Sequence, residues 1–205
     1  MGETTARDWT PVSGWAGFPM DPRRIDDRAD VRIMLCGERG QADVFVNQES
    51  RSAFFAAAEA YEVNLTKRPR ACAGRNVTFL WAGPDHWTVV GDDPELAKGL
   101  ARHFAGLAAV IDQSSSRAAL RIGGSKARET LTKGVLIDLH PRSFQAGDVA
   151  LTSIAHIGAL LWQVDDDPTF EISVFRSMAE SFWHWLQQSA APFGFSIDRS
   201  AVLPG

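Results

Sequence analysis

The most suggestive arrangement for acid–base chemistry is Asp138-Leu139-His140, which places a carboxylate two residues before an imidazole. A carboxylate can orient a histidine ring for proton transfer when the two side chains lie within hydrogen-bond distance. Such pairs are also frequent by chance, and Pro141 and Arg142 follow directly, which is typical of a shaped contact loop. We therefore predict a structural or interface role for this loop rather than catalysis.

Three further patterns resemble ligand sites but lack the spacing that the chemistry needs. Gly123–Lys126 joins a predicted strand to a predicted helix, yet it has neither the dinucleotide fingerprint nor the P-loop spacing. Asp165–Asp167 do not alternate as calcium ligands do, and Pro168 follows them, which indicates a turn. The five histidines and the two cysteines, Cys36 and Cys72, show no zinc-ligand spacing. The sequence therefore predicts no catalytic, cofactor or metal site in this chain.

The composition is that of an ordinary globular protein that can bury a core. Of 205 residues, 45% are hydrophobic and 22% are charged, and the net charge is −4. This acidic balance argues against a nucleic-acid partner, and we interpret the basic cluster Lys67–Arg70 as part of a solvated connector. No apolar stretch reaches 18 residues, and residues 1–8 lack the apolar core of a secretory signal. We therefore expect no membrane span and a cytoplasmic location in which both cysteines are reduced.

Residues 1–30 show the periodicity of neither a helix nor a strand. They contain several prolines and glycines and a charged run, but also the aromatic residues Trp9, Trp15 and Phe18. A disordered tail is normally poor in aromatic residues. We therefore predict an extended N-terminal arm whose aromatic side chains lie on another surface, either of this chain or of a partner.

Residues 31–114 are predicted to form a first half with the ferredoxin-like order β-α-β-β-α-β. A strand at 31–37 comes first, because Val31, Ile33 and Leu35 alternate with polar or less apolar residues. The strands and helices of the ferredoxin-like pattern follow it, at 43–46, 51–62, 77–81, 87–91, 93–105 and 108–112.

Residues 115–205 are predicted to form a second half that nearly repeats this pattern. We interpret the apolar run 149–164 as one strand, with His156 as a core residue. Ser177 and Glu180 have the spacing of a capping box, which predicts the start of the last helix. The other predicted elements are a strand at 117–122, a helix at 126–133, a turn at 165–168 and a strand at 169–175.

The last helix carries one apolar stripe and one additional tryptophan. The stripe is formed by Met178, Phe182, Trp185 and Leu186, whereas Trp183 lies off it. A tryptophan in this position either contacts a partner, where tryptophan is enriched, or belongs to a helix that is buried on both faces. The sequence leaves both readings open.

Four motifs, in order along the chain, resemble those of sarcosine oxidase gamma subunits. The resemblance extends from about Trp9 to Phe195. It is carried by Leu80–Trp87, Asp112–Arg117, Lys133–Pro141 and Arg176–Leu186.

The resemblance implies an α+β protein of two ferredoxin-like layers, similar to the folate-binding aminomethyltransferase fold, with the extended N-terminal arm. It also implies the gamma subunit of a bacterial heterotetramer that demethylates sarcosine to glycine with formation of hydrogen peroxide. The methylene group passes to tetrahydrofolate or leaves as formaldehyde. In this family FAD, FMN, NAD, tetrahydrofolate and zinc are attributed to the alpha, beta and delta subunits. We therefore expect a non-catalytic structural subunit that holds no cofactor of its own.

Six residues are the predicted contacts with the partner subunits, because they are aromatic residues without an assigned core position or belong to the contact loop. They are Trp9, Trp15, Phe18, His140, Arg142 and Trp183.

Two alternatives remain open at this stage. The first is a small folate-binding one-carbon transferase, which would need carboxylates to hold the pterin and to handle a proton; Asp112 and Asp138 are the candidates. The second is the equivalent subunit of a related complex that acts on another N-methyl amino acid, such as N-methylglutamate.

Overall fold

The chain forms two β-sheets that are covered by helices, as seen in a computed structural model that describes Trp15 and residues 29–198. Eleven strands and four α-helices lie in this part of the chain. They are β1 Val31–Leu35, β2 Gly40–Val46, α1 Arg51–Ala58, β3 Ala71–Ala73, β4 Val77–Gly83, β5 His86–Gly91, α2 Leu96–His103, β6 Ala108–Asp112, β7 Arg117–Gly123, α3 Ala127–Thr132, β8 Val149–Ile154, β9 Ile157–Gln163, β10 Phe170–Phe175, α4 Ala179–Ala190 and β11 Phe195–Asp198.

The five-stranded sheet has the order β3-β4-β5-β2-β6 and confirms the ferredoxin-like pattern predicted for residues 43–112. Strands β2 and β4 are both antiparallel to β5, which lies between them, and β6 pairs antiparallel with β2. The face towards α1 and α2 is apolar because alternate residues of each strand point there. Its core includes Val44, Phe54, Phe79, Trp87 and Leu100, all buried.

The six-stranded sheet has the order β11-β1-β7-β10-β9-β8 and includes β1, the first strand of the described residues. β1 pairs antiparallel with β7 and parallel with β11. Residues 31–35 therefore pair outside the half to which the sequence assigned them. Alternation predicted correctly that Val31, Ile33 and Leu35 are buried, but it does not determine which sheet a strand joins.

The apolar run 149–164 is two strands joined by a tight turn, so the prediction of one strand was wrong. Ala155 and His156 both have positive φ, 50° and 66°, and they connect β8 to β9 as a two-residue hairpin loop. His156 is consequently exposed, not a core residue. Glycine or asparagine usually marks such a turn, and neither occurs here.

Helix α4 begins later than the sequence predicted. Residues 176–178 form a 3-10 turn directly after β10, the helix begins at Ala179, and no side chain caps it. The predicted capping box of Ser177 and Glu180 is therefore absent. Phe182 and Leu186 are buried as expected, and so is Trp183. Met178 was predicted to share their stripe, but it lies in the 3-10 turn before the helix and is 39% exposed.

The two sheets pack face to face, with the helices on their outer faces. Leu80 and Val90 of one sheet contact Val149, Leu160 and Trp162 of the other. No helix within residues 29–198 is long and apolar enough to cross a membrane.

Candidate functional site between the two sheets

A buried carboxylate with two arginines lies between the sheets. Glu171 on β10 is only 3% exposed, since Phe170 and Ile172 point to the helices and Glu171 points to the other sheet. Its carboxylate oxygens lie 2.6 Å from Arg39 Nη2 and 2.9 Å from Arg121 Nε. Arg121 is the direct neighbour of Glu171 on β7, and Arg39 reaches in from the segment between β1 and β2. We call Arg39, Arg121 and Glu171 the interlayer charge cluster.

The interlayer charge cluster stays ionised, and it opposes ionisation of the nearby Cys36 thiol. Burial opposes ionisation of Glu171, but Arg39 and Arg121 outweigh it and hold the pKa of this carboxyl below its ordinary value. Burial and the negative charge of Glu171 raise the pKa of the Cys36 thiol to about 11. Cys36 is therefore protonated at neutral pH and is a poor nucleophile.

A second buried carboxylate, Asp43 on β2, faces the same interlayer space. Its Oδ1 accepts a hydrogen bond of 2.6 Å from the Thr88 hydroxyl and lies 3.6 Å from His86 Nε2. Burial opposes its ionisation, but His86 and Thr88 together hold the pKa of Asp43 below the ordinary value. The charge of Arg117, across the space on β7, acts in the same direction.

A cavity of about 220 Å³ opens beside the interlayer charge cluster. Charged side chains of both signs line it, among them Glu38, Arg39, Asp112, Arg117 and Arg176, together with Trp15. Pockets for drug-sized ligands measure roughly 300–1,000 Å³, so this cavity suits only a smaller molecule or a few waters. Asp112 Oδ1 accepts a hydrogen bond of 2.9 Å from the backbone N–H of Ser114 and so holds the turn that follows β6.

Two of the predicted partner contacts are buried inside this chain. The indole N–H of Trp15 donates a hydrogen bond of 2.6 Å to the carbonyl of Ala119, and its ring meets Trp183 edge-on at a centroid distance of 6.2 Å. The burial of Trp183 corresponds to the alternative of a helix that is covered on both faces. The predicted contacts Trp9 and Phe18 lie outside the described residues.

The loop 135–148 holds the other two predicted contacts, His140 and Arg142, and both are exposed. Asp138 does not contact the His140 ring: its oxygens accept from the backbone N–H of His140 at 2.8 Å and from the hydroxyl of Ser143 at 2.6 Å. These two hydrogen bonds lower the pKa of Asp138. The carboxylate therefore shapes the loop, and no acid–base pair forms.

The remaining ligand-like patterns are turns. Gly124 has φ of +100°, and a Cβ there would lie 2.3 Å from the carbonyl oxygen of Asp30, so the turn is filled by backbone. Asp165 accepts a hydrogen bond of 3.0 Å from the backbone N–H of Thr169 and closes the acidic turn. Within Trp15 and residues 29–198, no group of three His, Cys, Asp or Glu residues could hold a metal ion.

Sequence reasoning did not find the interlayer charge cluster or Asp43. Glu171 alternates with Phe170 and Ile172, a pattern that normally places the polar residue in solvent. A charged residue in a strand is buried only when a second layer covers that face, and alternation along one strand does not report the second layer. No local signal pairs Arg39 with Glu171, which is far away in the sequence.

Comparison with known proteins identifies the family. The sequence model of the sarcosine oxidase, gamma subunit family matches residues 48–192. Sarcosine oxidase subunit gamma from Corynebacterium sp. (strain P-1) is 32% identical over 146 residues, which cover 68% of this chain and 70% of that protein. The subunit gamma from an Arthrobacter species is 32% identical over 126 residues, which cover 60% of this chain and 61% of that protein.

Solved structures agree with the sequence comparison. A chain of the heterotetrameric sarcosine oxidase from Corynebacterium sp. U-96, solved with pyrrole 2-carboxylate, superposes with a TM-score of 0.73 at 26% identity, covering 82% of this chain and 88% of that one. The glycine cleavage system aminomethyltransferase T from Bartonella henselae has the same fold at 13% identity, with a TM-score of 0.60, covering 83% of this chain and 48% of that one. The resemblance seen in the sequence motifs is confirmed, and the chain belongs to the sarcosine oxidase gamma subunit family.

Proposed function

We propose that this chain is the gamma subunit of a heterotetrameric sarcosine oxidase and serves it as a structural subunit. The observation that carries this proposal is the match to a chain of the Corynebacterium heterotetramer, which extends over 82% of this chain and 88% of that one. The complex would demethylate sarcosine to glycine, and the methylene would pass to tetrahydrofolate or leave as formaldehyde.

The geometry of the polar residues supports a structural role. Asp112 and Asp138, the carboxylates that a one-carbon transferase would need, each hold a backbone turn. Cys36 is protonated at neutral pH.

We assign the prosthetic groups to the companion subunits. FAD, FMN, NAD, tetrahydrofolate and zinc would be held by the alpha, beta and delta chains, and this chain would contact those chains through surfaces that include His140 and Arg142. The likeness to aminomethyltransferase T concerns the fold alone and does not transfer folate chemistry to this chain. The two unpaired cysteines, Cys36 and Cys72, fit a reducing cytoplasm.

Reconstitution tests the proposal. The chain is produced alone and together with the alpha, beta and delta subunits, and flavin absorbance and peroxide formation are measured with sarcosine and with N-methylglutamate. Alone, the chain should show neither flavin absorbance nor turnover; the four chains should co-purify and oxidise sarcosine. Turnover by the isolated chain would refute the structural role, and oxidation of N-methylglutamate alone would assign the complex to that substrate.

Calorimetric titration of the isolated chain with a tetrahydrofolate derivative distinguishes the structural role from the remaining alternative, a small folate-binding one-carbon transferase. A structural subunit gives no heat of binding. A saturable heat that disappears in an Asp112→Asn variant would instead support a one-carbon transferase.

A further inference from the structure

The inner face of the six-stranded sheet extends beyond the five-stranded sheet that covers it. The covered end contains Val149, Leu160 and Trp162. Strand register shows what lies at the other end: Arg117 is opposite Phe175, and Gly158 is opposite Ser153. This end contains no residue of the apolar contact cluster between the sheets, although Arg117 itself lines the interlayer cavity.

Three large apolar side chains are exposed at this end and along the neighbouring edge strand β8. Phe175 is 49% exposed, Leu151 is 59% exposed and Leu136 is 74% exposed. Phe175 lies one residue beyond the Val174–Ala159 pair and is therefore level with Gly158 on the next strand.

The register brings these residues onto one surface. Leu151 is opposite Leu160 on β9, and the N–H of Leu136 donates to the carbonyl of Ser153 on the outer side of β8. Since directly opposed residues share a face, Leu136 and Leu151 are diagonal neighbours on the inner face, roughly 7–8 Å apart. We call Leu136, Leu151, Gly158 and Phe175 the apolar shelf. The space above Gly158 is empty, because a Cβ built at this residue would have no atom within 4 Å.

A guanidinium that has no hydrogen bond to any described residue, that of Arg117, lies at one end of the apolar shelf, and its charge acts on Asp43 only across the interlayer space. The guanidinium carbon of Arg117 is 3.8 Å from the centroid of the Phe175 ring. Among the described residues, Arg117 Nε is buried without an acceptor. An incoming carboxylate would complement this charge, as opposite charges do at protein interfaces.

The outer edge of β8 has too few free backbone groups to accept an added strand. The N–H of Val149 already donates to the carbonyl of Pro69, and the carbonyl of Ser153 already accepts from Leu136. Only Leu151 remains between them on this edge, because outward-pointing backbone groups recur every second residue. One free residue is too short for strand addition, which needs a row of backbone groups.

We infer that the apolar shelf is the docking surface for a companion subunit of the complex, which places on it an apolar segment carrying an acidic residue. This inference rests on the proposed function, since the similar Corynebacterium chain was solved within a heterotetramer. Exposed apolar side chains beside a guanidinium that has no hydrogen bond within the described residues are the expected composition of such a contact. Leu136 also lies on the same loop as His140 and Arg142, the exposed residues that the sequence predicted as partner contacts.

The test compares assembly of the four-chain complex with two versions of this chain. The Leu136→Ser, Leu151→Ser double variant loses two exposed side chains and should keep its fold. The control is Met34→Ser, because Met34 is 42% exposed on the inner face of the same sheet but opposite Arg121, away from the shelf. We expect the double variant to bind the companion subunits about 10- to 100-fold more weakly, as loss of central interface residues does, while the control assembles normally.

The outcomes are distinguishable. If the unchanged chain fails to assemble with the companions, the proposed function fails; if the unchanged chain and the double variant assemble equally well, only the docking surface is refuted. An Arg117→Gln variant should weaken assembly more at low than at high ionic strength. Equal weakening at both ionic strengths would show that the companion segment places no acidic residue near Arg117.

Thiol labelling gives a measurement that does not depend on affinity. A Leu151→Cys variant should react with a maleimide in the isolated chain and become protected in the complex, while Cys36 adds little background because its thiol is protonated. Protection already in the isolated chain would show that a second copy or residues outside the described range cover the shelf, and would overturn the inference.

Discussion

Neutralising Glu171 should destabilise the fold by about 3 kcal/mol at pH 7. Removal of one partner from a buried ion pair costs about 3–5 kcal/mol, because a charge remains buried and unpaired. In a Glu171→Gln variant the charge that stays buried and unpaired is mainly that of Arg39, whose side chain is 16% exposed. The side chain of Arg121 is 40% exposed and can turn to water. We therefore use the lower end of the range. For a chain of this length the loss corresponds to a decrease in Tm of about 6–12 °C.

The assay is urea denaturation across pH, with a surface pair as the control. Glu129 lies 2.6 Å from Lys126 on an exposed helix surface, so Glu129→Gln should change stability far less than Glu171→Gln does. The pKa of Glu171 is lowered on folding from its ordinary value of 4.5, so the wild type holds the full contribution above that pH and loses it as the pH falls through the folded pKa. The difference between wild type and Glu171→Gln should therefore shrink in acid.

Two results would refute the reasoning. One is a Glu171→Gln variant as stable as the wild type at pH 7; the other is a stability difference that stays constant down to pH 3. A double-mutant cycle with Arg39→Met isolates the pair itself, because residues in one ion-pair network do not contribute additively.

Three further predictions concern the core and the thiol. Trp15→Ala should lower the free energy of unfolding by about 3–5 kcal/mol, since Trp15 is buried against Trp183; a loss below about 1 kcal/mol in urea denaturation would contradict its place in the core. Gly134→Ala should cost about 1–3 kcal/mol, because its Cβ would lie 2.5 Å from the Trp185 ring; an unchanged Tm would show that the ring moves freely. Iodoacetamide should alkylate Cys36 at pH 8 at least about 10-fold more slowly than free cysteine, since its pKa is about 11, and a rate near that of free cysteine would show that this thiol is ionised in the folded protein.

The sequence was sufficient to predict which face of most strands is buried. Val31, Ile33 and Leu35 alternate and are buried as expected, and the five-stranded sheet follows the predicted order of elements. Two things could not be predicted. Strand membership depends on partners far away in the sequence, and the turn at Ala155 and His156 uses positive φ without the glycine or asparagine that would have marked it.

The candidate site was predicted poorly for a related reason. Asp112 and Asp138 were chosen as free carboxylates, but short side chains of this type readily accept from the backbone two residues on, as both do here. Glu171 and Asp43 were missed because each sits in a strand whose second face is buried by another sheet. Only the packing of the two layers reveals that their charges need partners.

Strand β1 makes the order of synthesis matter for this protein. Its neighbours are β7 and β11, and Val31 pairs with Phe195 near the opposite end of the chain. The five-stranded sheet, complete at Asp112, can form while the ribosome is still translating, whereas β1 must wait for the last strand before its edge is closed. Contacts of such long sequence separation slow folding and leave a strand edge open to wrong pairing in the meantime. A nascent chain that stalls before residue 195 would therefore expose β1, so aggregation of truncated products is the specific hazard of this topology.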